Sequence, residues 1–395
     1  MNRFLAADHR PTETEVVVQY SVLPLQKDSF HECLHQLVEG LLFSKSREDK
    51  YPLVFDLNQE SSSCKIAFPE EWFEPGNLPQ NLSAIAGSIL QSPWTASVKV
   101  QSIQWTKKLE RSFPGPTKGL KKIREALEIM ERPLSSGLLL PKAALTNKQY
   151  LEKSYLMWMG GCDIVAENEI MASQTSSDFA ERISFLSKEA LSCSSRTRKN
   201  KTYIPNITSG TVEEMSRRLR ICKEAGLQIV SVNLPSIGFA ALNTLVQLCA
   251  TLHLGLQGNQ YAQGTISFGL GLPALATLYR MMGVDLLTVD ASSAEITAEI
   301  KNLTDYHESF AATIPVCTGH VHAGNIEKII KQHGHDLMLQ GSRSIDEHPD
   351  GTKAGAEAFQ YAIQSATQGI EIESALKKND PFRRALEQYH PLAKA

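Results

Sequence analysis

The sequence has no pair of cysteines at C-x-x-C spacing, and its seven cysteines (Cys33, Cys64, Cys162, Cys193, Cys222, Cys249 and Cys317) are odd in number and scattered. That argues against a disulfide framework or a structural zinc site and fits buried thiols in a reducing cytosol. No stretch approaches about 18 uninterrupted apolar residues, so no membrane span is expected. The opening stretch from Met1 to Tyr20 lacks the apolar run and small-residue cleavage site of a signal peptide, and a cytoplasmic location is expected. A strong charge imbalance is also missing: the formal net charge is −3, which gives no electrostatic case for a nucleic-acid partner. No repeat of fixed period and no low-complexity segment is visible.

What is present is an ordinary globular composition, 42% apolar and 21% charged, over 395 residues. That length suits a small domain followed by a barrel of about 250 residues. From about residue 15 to 130, strand-like and helical segments mix. Glu15–Ser21, Tyr51–Leu57, Cys64–Phe68 and Ser97–Trp105 read as strands, and Asp28–Leu42 and Leu82–Leu90 as helices. This predicts a small α+β domain over residues 1–132. The pattern changes near Pro133. Short apolar strands then alternate with longer helical segments: Gly137–Lys142, Cys162–Ala166, Thr202–Ile207, Gln228–Asn233, His253–Gln257, Asp285–Val289, Thr313–Cys317 and Asp336–Gln340. Eight such units predict an α/β fold, a (β/α)8 TIM barrel over residues 133–395 that ends in a helical tail. The basic run Arg196–Lys201 precedes the third of these strands and reads as a solvated loop.

In such barrels the reactive groups project from the C-terminal ends of the strands. That rule nominates Lys142; Glu167, Asn168 and Glu169; Asn206 and Thr208; Asn233; Gln257 and Asn259; Asp290; Thr318, His320 and His322; and Ser342 and Arg343. It does not yet name a reaction.

One block goes further. Gly160-Gly161-Cys162-Asp163-Ile164-Val165-Ala166-Glu167-Asn168-Glu169 resembles, residue for residue in spacing, the G-G-x-D-F-x-K-D-D-E motif of the RuBisCO large subunit, and Ser173-Gln174 follows as it does there. Further blocks agree in order. Ala67-Phe68-Pro69 with Phe73-Glu74-Pro75-Gly76 resembles A-Y-P…F-E-E-G, and Phe113 to Gly119 resembles F-x-G-P-x-x-G. Leu140-Pro141-Lys142 resembles K-P-K, and Asn206-Ile207-Thr208 with Gly210 to Met215 resembles N-A-T-x-G-T-x-E-E-M. Pro315 to His322 resembles P-V-x-S-G-G-I-H, and Leu339-Gln340 with His348-Pro349 resembles L-Q-F-G-G-G-x-x-x-H-P. The chain is thereby similar to RuBisCO-like proteins, the diverged type IV branch of the family, over roughly residues 15–375.

The resemblance implies a lysine carbamate on the second barrel strand that binds Mg2+ with two neighbouring carboxylates, the metal polarising a sugar-phosphate carbonyl. Here the lysine position is Ala166, the first ligand carboxylate is Asn168, and Glu169 alone keeps its ligand type. Mg2+ in the family's position is therefore expected to bind weakly or not at all, and no cofactor is expected. Glu167 adds a carboxylate, but successive strand residues face opposite ways. Other family positions have changed too. Leu140 replaces the first lysine of K-P-K, no histidine-arginine pair follows the fifth strand in Leu252 to Gly258, and no lysine lies in Asp290 to Glu295. In the first domain Gly87-Ser88 stands where the family has Gly-Asn. Carboxylation is not expected.

Lys142 is the surviving acid or base, either desolvated at the mouth and able to take a proton or merely ion-paired with Glu169 or Glu167. By the resemblance, Thr318, Gly319, Gly341, Ser342 and Arg343 are the phosphate- or substrate-binding group, with Arg343 compensating for the degraded glycine loop. Asn168 and Asn206 are candidate donors to an enolate oxygen. His320 and His322 have metal-ligand spacing, of which only His320 is new to the family pattern. Two functions stay open. One is enolisation, isomerisation or decarboxylation of a small phosphorylated or carboxylated ketone, of the kind RuBisCO-like enolases of methionine salvage perform. The other is a catalytically silent binder of a ligand or partner. Either is expected as a homodimer with a small anionic metabolite.

Overall fold

In the computed structural model of the protein, the described residues are 5–25, 30–41, 51–87, 95–140, 146–172, 178–260 and 269–389, except for the side chains of 36–41 and 172. They fall into two compact units, Met1–Pro114 with Gln263–Met281 and Gly115–Ala262 with Met282–Ala395.

The first unit is built on an antiparallel sheet of β1 (Glu15–Pro24), β2 (Leu53–Asn58), β3 (Ser63–Pro69) and β4 (Thr95–Gln104) in the order β2-β3-β1-β4. The alternation that marks β1 in the sequence is realised: Val16, Val18, Tyr20 and Val22 are buried, and the Tyr20 hydroxyl donates to the Ile85 carbonyl at 2.6 Å. The helix Leu78–Ala86 begins earlier than apolar spacing suggests because Asn77 caps it, its Oδ1 accepting from the Gln80 amide at 3.2 Å. The expected continuation of this helix to Leu90 lies outside the described residues, as does Ser88.

The second unit is an eight-stranded parallel barrel: β5 (Leu134–Leu139), β6 (Ile164–Glu167), β7 (Thr202–Ile204), β8 (Ile229–Asn233), β9 (Gly255–Asn259), β10 (Leu286–Asp290), β11 (Ile314–Thr318) and β12 (Met338–Gly341). Seven of the eight neighbour pairings are regular ladders running from β7 through β6, β5, β12, β11, β10 and β9 to β8. The seam between β7 and β8 closes through the Asn206–Ser231 bridge, with Ile207 N to Ser231 O at 2.9 Å and Ser231 N to Pro205 O at 2.8 Å. β7 stops before its expected end at Ile207 because Pro205 has no N–H to give the ladder. The most apolar helix, Leu234–Leu252, has the length and composition to cross a bilayer, yet it is broken at Gly238 and packs on β8 and β9 with Leu242, Leu245, Val246 and Cys249 buried.

The unit boundary falls after Pro114 rather than after residue 132 because the helix Gly119–Leu127 belongs to the barrel. Its Ile123 and Leu127 join Leu134, Ile164, Ile229, Leu286, Ile314 and Met338, the first residues of six strands, and so plug the N-terminal mouth. Asp285 fixes the plug: one carboxylate oxygen accepts from the Lys118 and Gly119 amides at 2.6 and 2.7 Å, the other from Leu256 at 2.9 Å. Burial raises the Asp285 carboxyl above its ordinary range even though these three amides pull it down. The excursion 263–281 sorts with the first unit because Val100 exchanges backbone hydrogen bonds with Gly269 and Gly271, both at 2.7 Å.

Along the barrel axis the interior passes from apolar to polar. Leu134, Ile229, Leu286 and Met338 lie at the closed end, and Ser136, Ser231, Thr288 and Gln340 follow them two residues on. The polar end is the C-terminal mouth.

Candidate functional site at the C-terminal barrel mouth

The second strand sets the site. Ile164 and Ala166 point into the apolar interior, so Glu167 points the other way, into the layer of helices. There it is wholly buried and carries a full set of partners. Arg182 Nε donates to it at 2.6 Å, the Asn206 amide at 2.8 Å, and the Tyr203 hydroxyl also donates to it. Burial works against the charge of Arg182, but Glu167 and Tyr203 outweigh it and hold the guanidinium above its ordinary pKa. Glu167 is thus a structural anion behind the barrel wall and does not reach the mouth.

The chain leaves the strand at Asn168. Its Oδ1 accepts from the Ile170 amide at 3.0 Å, which starts the short 3-10 turn Glu169–Ala172 and brings Glu169 to the mouth. Asn206 locks this turn to the end of β7. Its Nδ2 donates to the carbonyls of Asn168 and Glu169 at 3.3 and 3.0 Å, and its Oδ1 accepts from the Thr208 amide and hydroxyl at 3.0 and 2.6 Å. The expectation that Asn206 donates to a ligand oxygen is therefore corrected. The residue is 0% exposed and every polar atom of its side chain is spent on the protein.

A cavity of about 860 Å³ opens at this mouth, entirely within the second unit. Strand ends contribute Leu138, Asn259, Thr288, Thr318 and Gln340 to its wall. The loops contribute Asn168, Glu169, Gly319, His320, Ser342, Arg343 and Glu347, and Tyr389 comes from the last helix. Glu169, Asn168, Thr318, Gly319, Ser342 and Arg343 are thus brought together around one cavity. Among the described residues the carboxylate of Glu169 and the guanidinium of Arg343 have no hydrogen-bond or ion-pair partner, and both face the cavity. Gly341 is the exception. It lies in the wall of β12, where an added Cβ would meet Ile345 and Phe359 at 2.7 and 2.8 Å, so it serves packing rather than the ligand. Lys142, Ser173 and Gln174 lie outside the described residues.

Two features of the wall lie outside the family motifs. Asn259 is one, nominated by the strand-end rule alone. The other is Tyr389, which stacks on His322 with ring centroids 4.6 Å apart. His322 Nδ1 accepts from the Gly324 amide at 3.2 Å, and Asn325 pins the loop by donating to the His320 carbonyl at 2.8 Å. His320 itself stands at φ 54°, a left-handed position that histidine takes more readily than most residues.

Comparison with known proteins decides the family. The model of the ribulose bisphosphate carboxylase large chain catalytic domain matches residues 119–309 and 301–389, and that of the N-terminal domain matches residues 41–109. The chain belongs to the RuBisCO large-chain family. The ribulose bisphosphate carboxylase of Methanosarcina barkeri is 26% identical over 98% of both chains. That of Pyrococcus furiosus is 30% identical over 84% of this chain and 81% of its own. Among solved structures, octameric Rubisco from Pyrococcus horikoshii superposes with a TM-score of 0.92 at 26% identity over 99% of both chains. The dimeric archaeal Rubisco from Hyperthermus butylicus has a TM-score of 0.88 at 24% identity over 98% of both, a likeness of fold.

Against that family the donor set at β6 does not fit Mg2+. Ala166 offers no donor, and Asn168 has its oxygen engaged by a backbone amide. Glu169 is the one carboxylate left in that donor set, and no group of three histidine, cysteine or carboxylate side chains is poised for a metal among the described residues. A hard dication needs several oxygen ligands and compensating charge, and these three residues supply neither.

Proposed function

We propose that this RuBisCO-family chain is not a ribulose-bisphosphate carboxylase and instead binds a small phosphorylated or carboxylated ketone at the barrel mouth, moving a proton next to its carbonyl. The observation that carries this reading is that Arg343 and Glu169, neither paired among the described residues, share a cavity with the hydroxyls of Thr318 and Ser342. A guanidinium with no protein partner is a receptor for a carboxylate or phosphate. Arg343 and the Thr318–Gly319 backbone hold the anion, and Lys142 is the group assigned to the proton transfer. Chemistry of this kind includes the enolisation of 2,3-diketo-5-methylthiopentyl-1-phosphate in methionine salvage, and isomerisation or decarboxylation of related ketones. The protein acts in the cytoplasm as a homodimer.

One observation favours a second reading, a silent ligand-binding protein. Asn206 is wholly consumed by the fold and Asn168 half so, which leaves fewer groups for catalysis than for recognition. Solvent-deuterium exchange into phosphorylated ketones separates the two, with hydroxyacetone phosphate tried first. The enzymatic reading expects Lys142→Met to abolish exchange while binding survives, and Arg343→Ala to weaken binding at least about tenfold. Binding without any exchange in the wild type gives the answer to the silent binder. No effect of either substitution on binding or exchange removes the site.

A further inference from the structure

The floor of the cavity contains two carboxamides, each held to the protein through one hydrogen bond. Asn168 is 7% exposed and Asn259 is 5% exposed, yet both line the cavity. In each, the oxygen is already taken. Asn168 Oδ1 accepts from the Ile170 amide at 3.0 Å, and a backbone N–H can only donate, so the assignment of oxygen and nitrogen in this side chain is settled. Asn259 Oδ1 accepts from Gln257 Nε2 at 2.9 Å. Gln257 is 1% exposed in the barrel interior, two residues earlier on β9 and therefore on the same face, and its Oε1 is buried with no partner among the described residues. Neither Asn168 Nδ2 nor Asn259 Nδ2 has a partner among the described residues. The polar atoms left to face the cavity are therefore two amide nitrogens, both donors.

We propose that Asn168 and Asn259 form a paired-donor site for the carbonyl or enolate oxygen of the ligand, and that Gln257 is the residue that positions Asn259. The inference rests on the anion reading above, since the ligand must be anchored at Arg343 for its carbonyl to reach the floor. The physical argument is preorganisation. Donors that are held by the fold and nearly excluded from water lose little on receiving an oxygen, and they bind it more strongly as negative charge develops there. A neutral pair replaces the charge that the family places on the end of this strand. The site thus takes a ketone oxygen or its enolate and has no preference for a cation. Asn206, two strands from Asn259 in the ring, is excluded by its own hydrogen bonds.

The test compares two probes by calorimetry on the full-length protein. Inorganic phosphate reads the anchor alone, and phosphonoacetohydroxamate reads the anchor plus a carbonyl and a hydroxamate oxygen placed like those of a ketone and its enolate. The wild type should prefer the hydroxamate at least about tenfold, and Asn259→Ala and Asn168→Ala should each reduce that preference by about tenfold with phosphate affinity unchanged. Gln257→Met keeps the volume and removes the bond that aims Asn259. It should lower the same ratio, which a merely structural role would not move, and it carries the test alone if Asn259→Ala does not fold. An unchanged ratio in folded Asn259→Ala or Gln257→Met overturns the proposal. A wild type that binds phosphate through Arg343 without preferring the hydroxamate overturns it too, while leaving the anion reading intact. If the wild type binds neither probe, the anion reading fails and the paired-donor site falls with it.

Discussion

Two buried carboxylates show how residue context separates structure from liability. Glu167 is unexposed and surrounded by donors, including a guanidinium, so its charge is compensated where it sits. Glu299, 1% exposed on the helix Ile296–Thr304, has no cation beside it among the described residues. Gln260 Nε2 reaches one oxygen at 3.2 Å, and the other has no partner. Burial, then the nearby Glu295, then Asp290, push its carboxyl up to about 7 against the single bond from Gln260. The folded chain therefore keeps a proton between the ordinary carboxylate range and pH 7 that the unfolded chain releases. With more protons bound in the folded state, stability falls as pH rises through that window and the loss is complete above it. Glu299→Gln removes the titration. The variant should match the wild type at pH 4 and exceed it at pH 8 by roughly 2–3 kcal/mol, read as urea midpoints at the two pH values. Equal midpoints at pH 8 would show that Glu299 finds a compensating partner in solution.

At the scale of elements, the sequence was most informative where a pattern repeats and least where an end depends on one contact. All eight barrel strands lie where apolar runs place them, because strands covered on both faces must be apolar throughout. Their ends differ. β5 stops at Leu139 rather than Lys142, and β7 at Ile204, before the prolines at 141 and 205. The plug helix Gly119–Leu127 escaped assignment to the barrel because its partners, Asp285 and Ala312, are more than a hundred residues away. The site divides in the same way. Glu169, Thr318 and Arg343 were legible as strand-end polar groups in a family motif. The commitment of Asn206 to two carbonyls was not, since no local pattern encodes which backbone groups a side chain will meet. The last helix, Asp380–Tyr389, was legible only as a tail, yet it buries Phe382, Ala385 and Leu386 and carries Tyr389 to the cavity. Phe382→Ala should cost about 3–5 kcal/mol if the helix unfolds with the barrel. Hydrogen exchange by mass spectrometry should then show 380–389 opening together with the barrel strands. A cost under about 1 kcal/mol would mean the helix is dispensable to the fold.

At the scale of the whole molecule, the fold of a carboxylase persists while the charge pattern its metal needs does not. The backbone likeness extends over nearly the full chain, yet β6 presents a methyl group at Ala166 and a neutral amide at Asn168. A metal-dependent activation would require an amine to react with CO2 and anions to balance a dication, and Glu169 by itself supplies neither the amine nor enough charge. Calorimetric titration of the wild type with Mg2+ plus bicarbonate should therefore show no binding at millimolar metal, and EDTA should leave both the melting temperature and ligand binding unchanged. The paired substitution Ala166→Lys with Asn168→Asp tests the same geometry in the other direction. An aspartate at 168 can still accept from the Ile170 amide, so the turn that carries Glu169 is preserved. A lysine at 166 starts from the closed interior and must run along the barrel axis to the mouth, which overpacks the layer of Ile164 and Val316 by about 1–3 kcal/mol. The double variant should be less stable than the wild type but should bind Mg2+ in a bicarbonate-dependent way. Tight, CO2-dependent binding by the wild type would overturn the assignment of Ala166 to the carbamate position. A folded double variant with no metal affinity would show that restoring these two side chains does not rebuild the metal site.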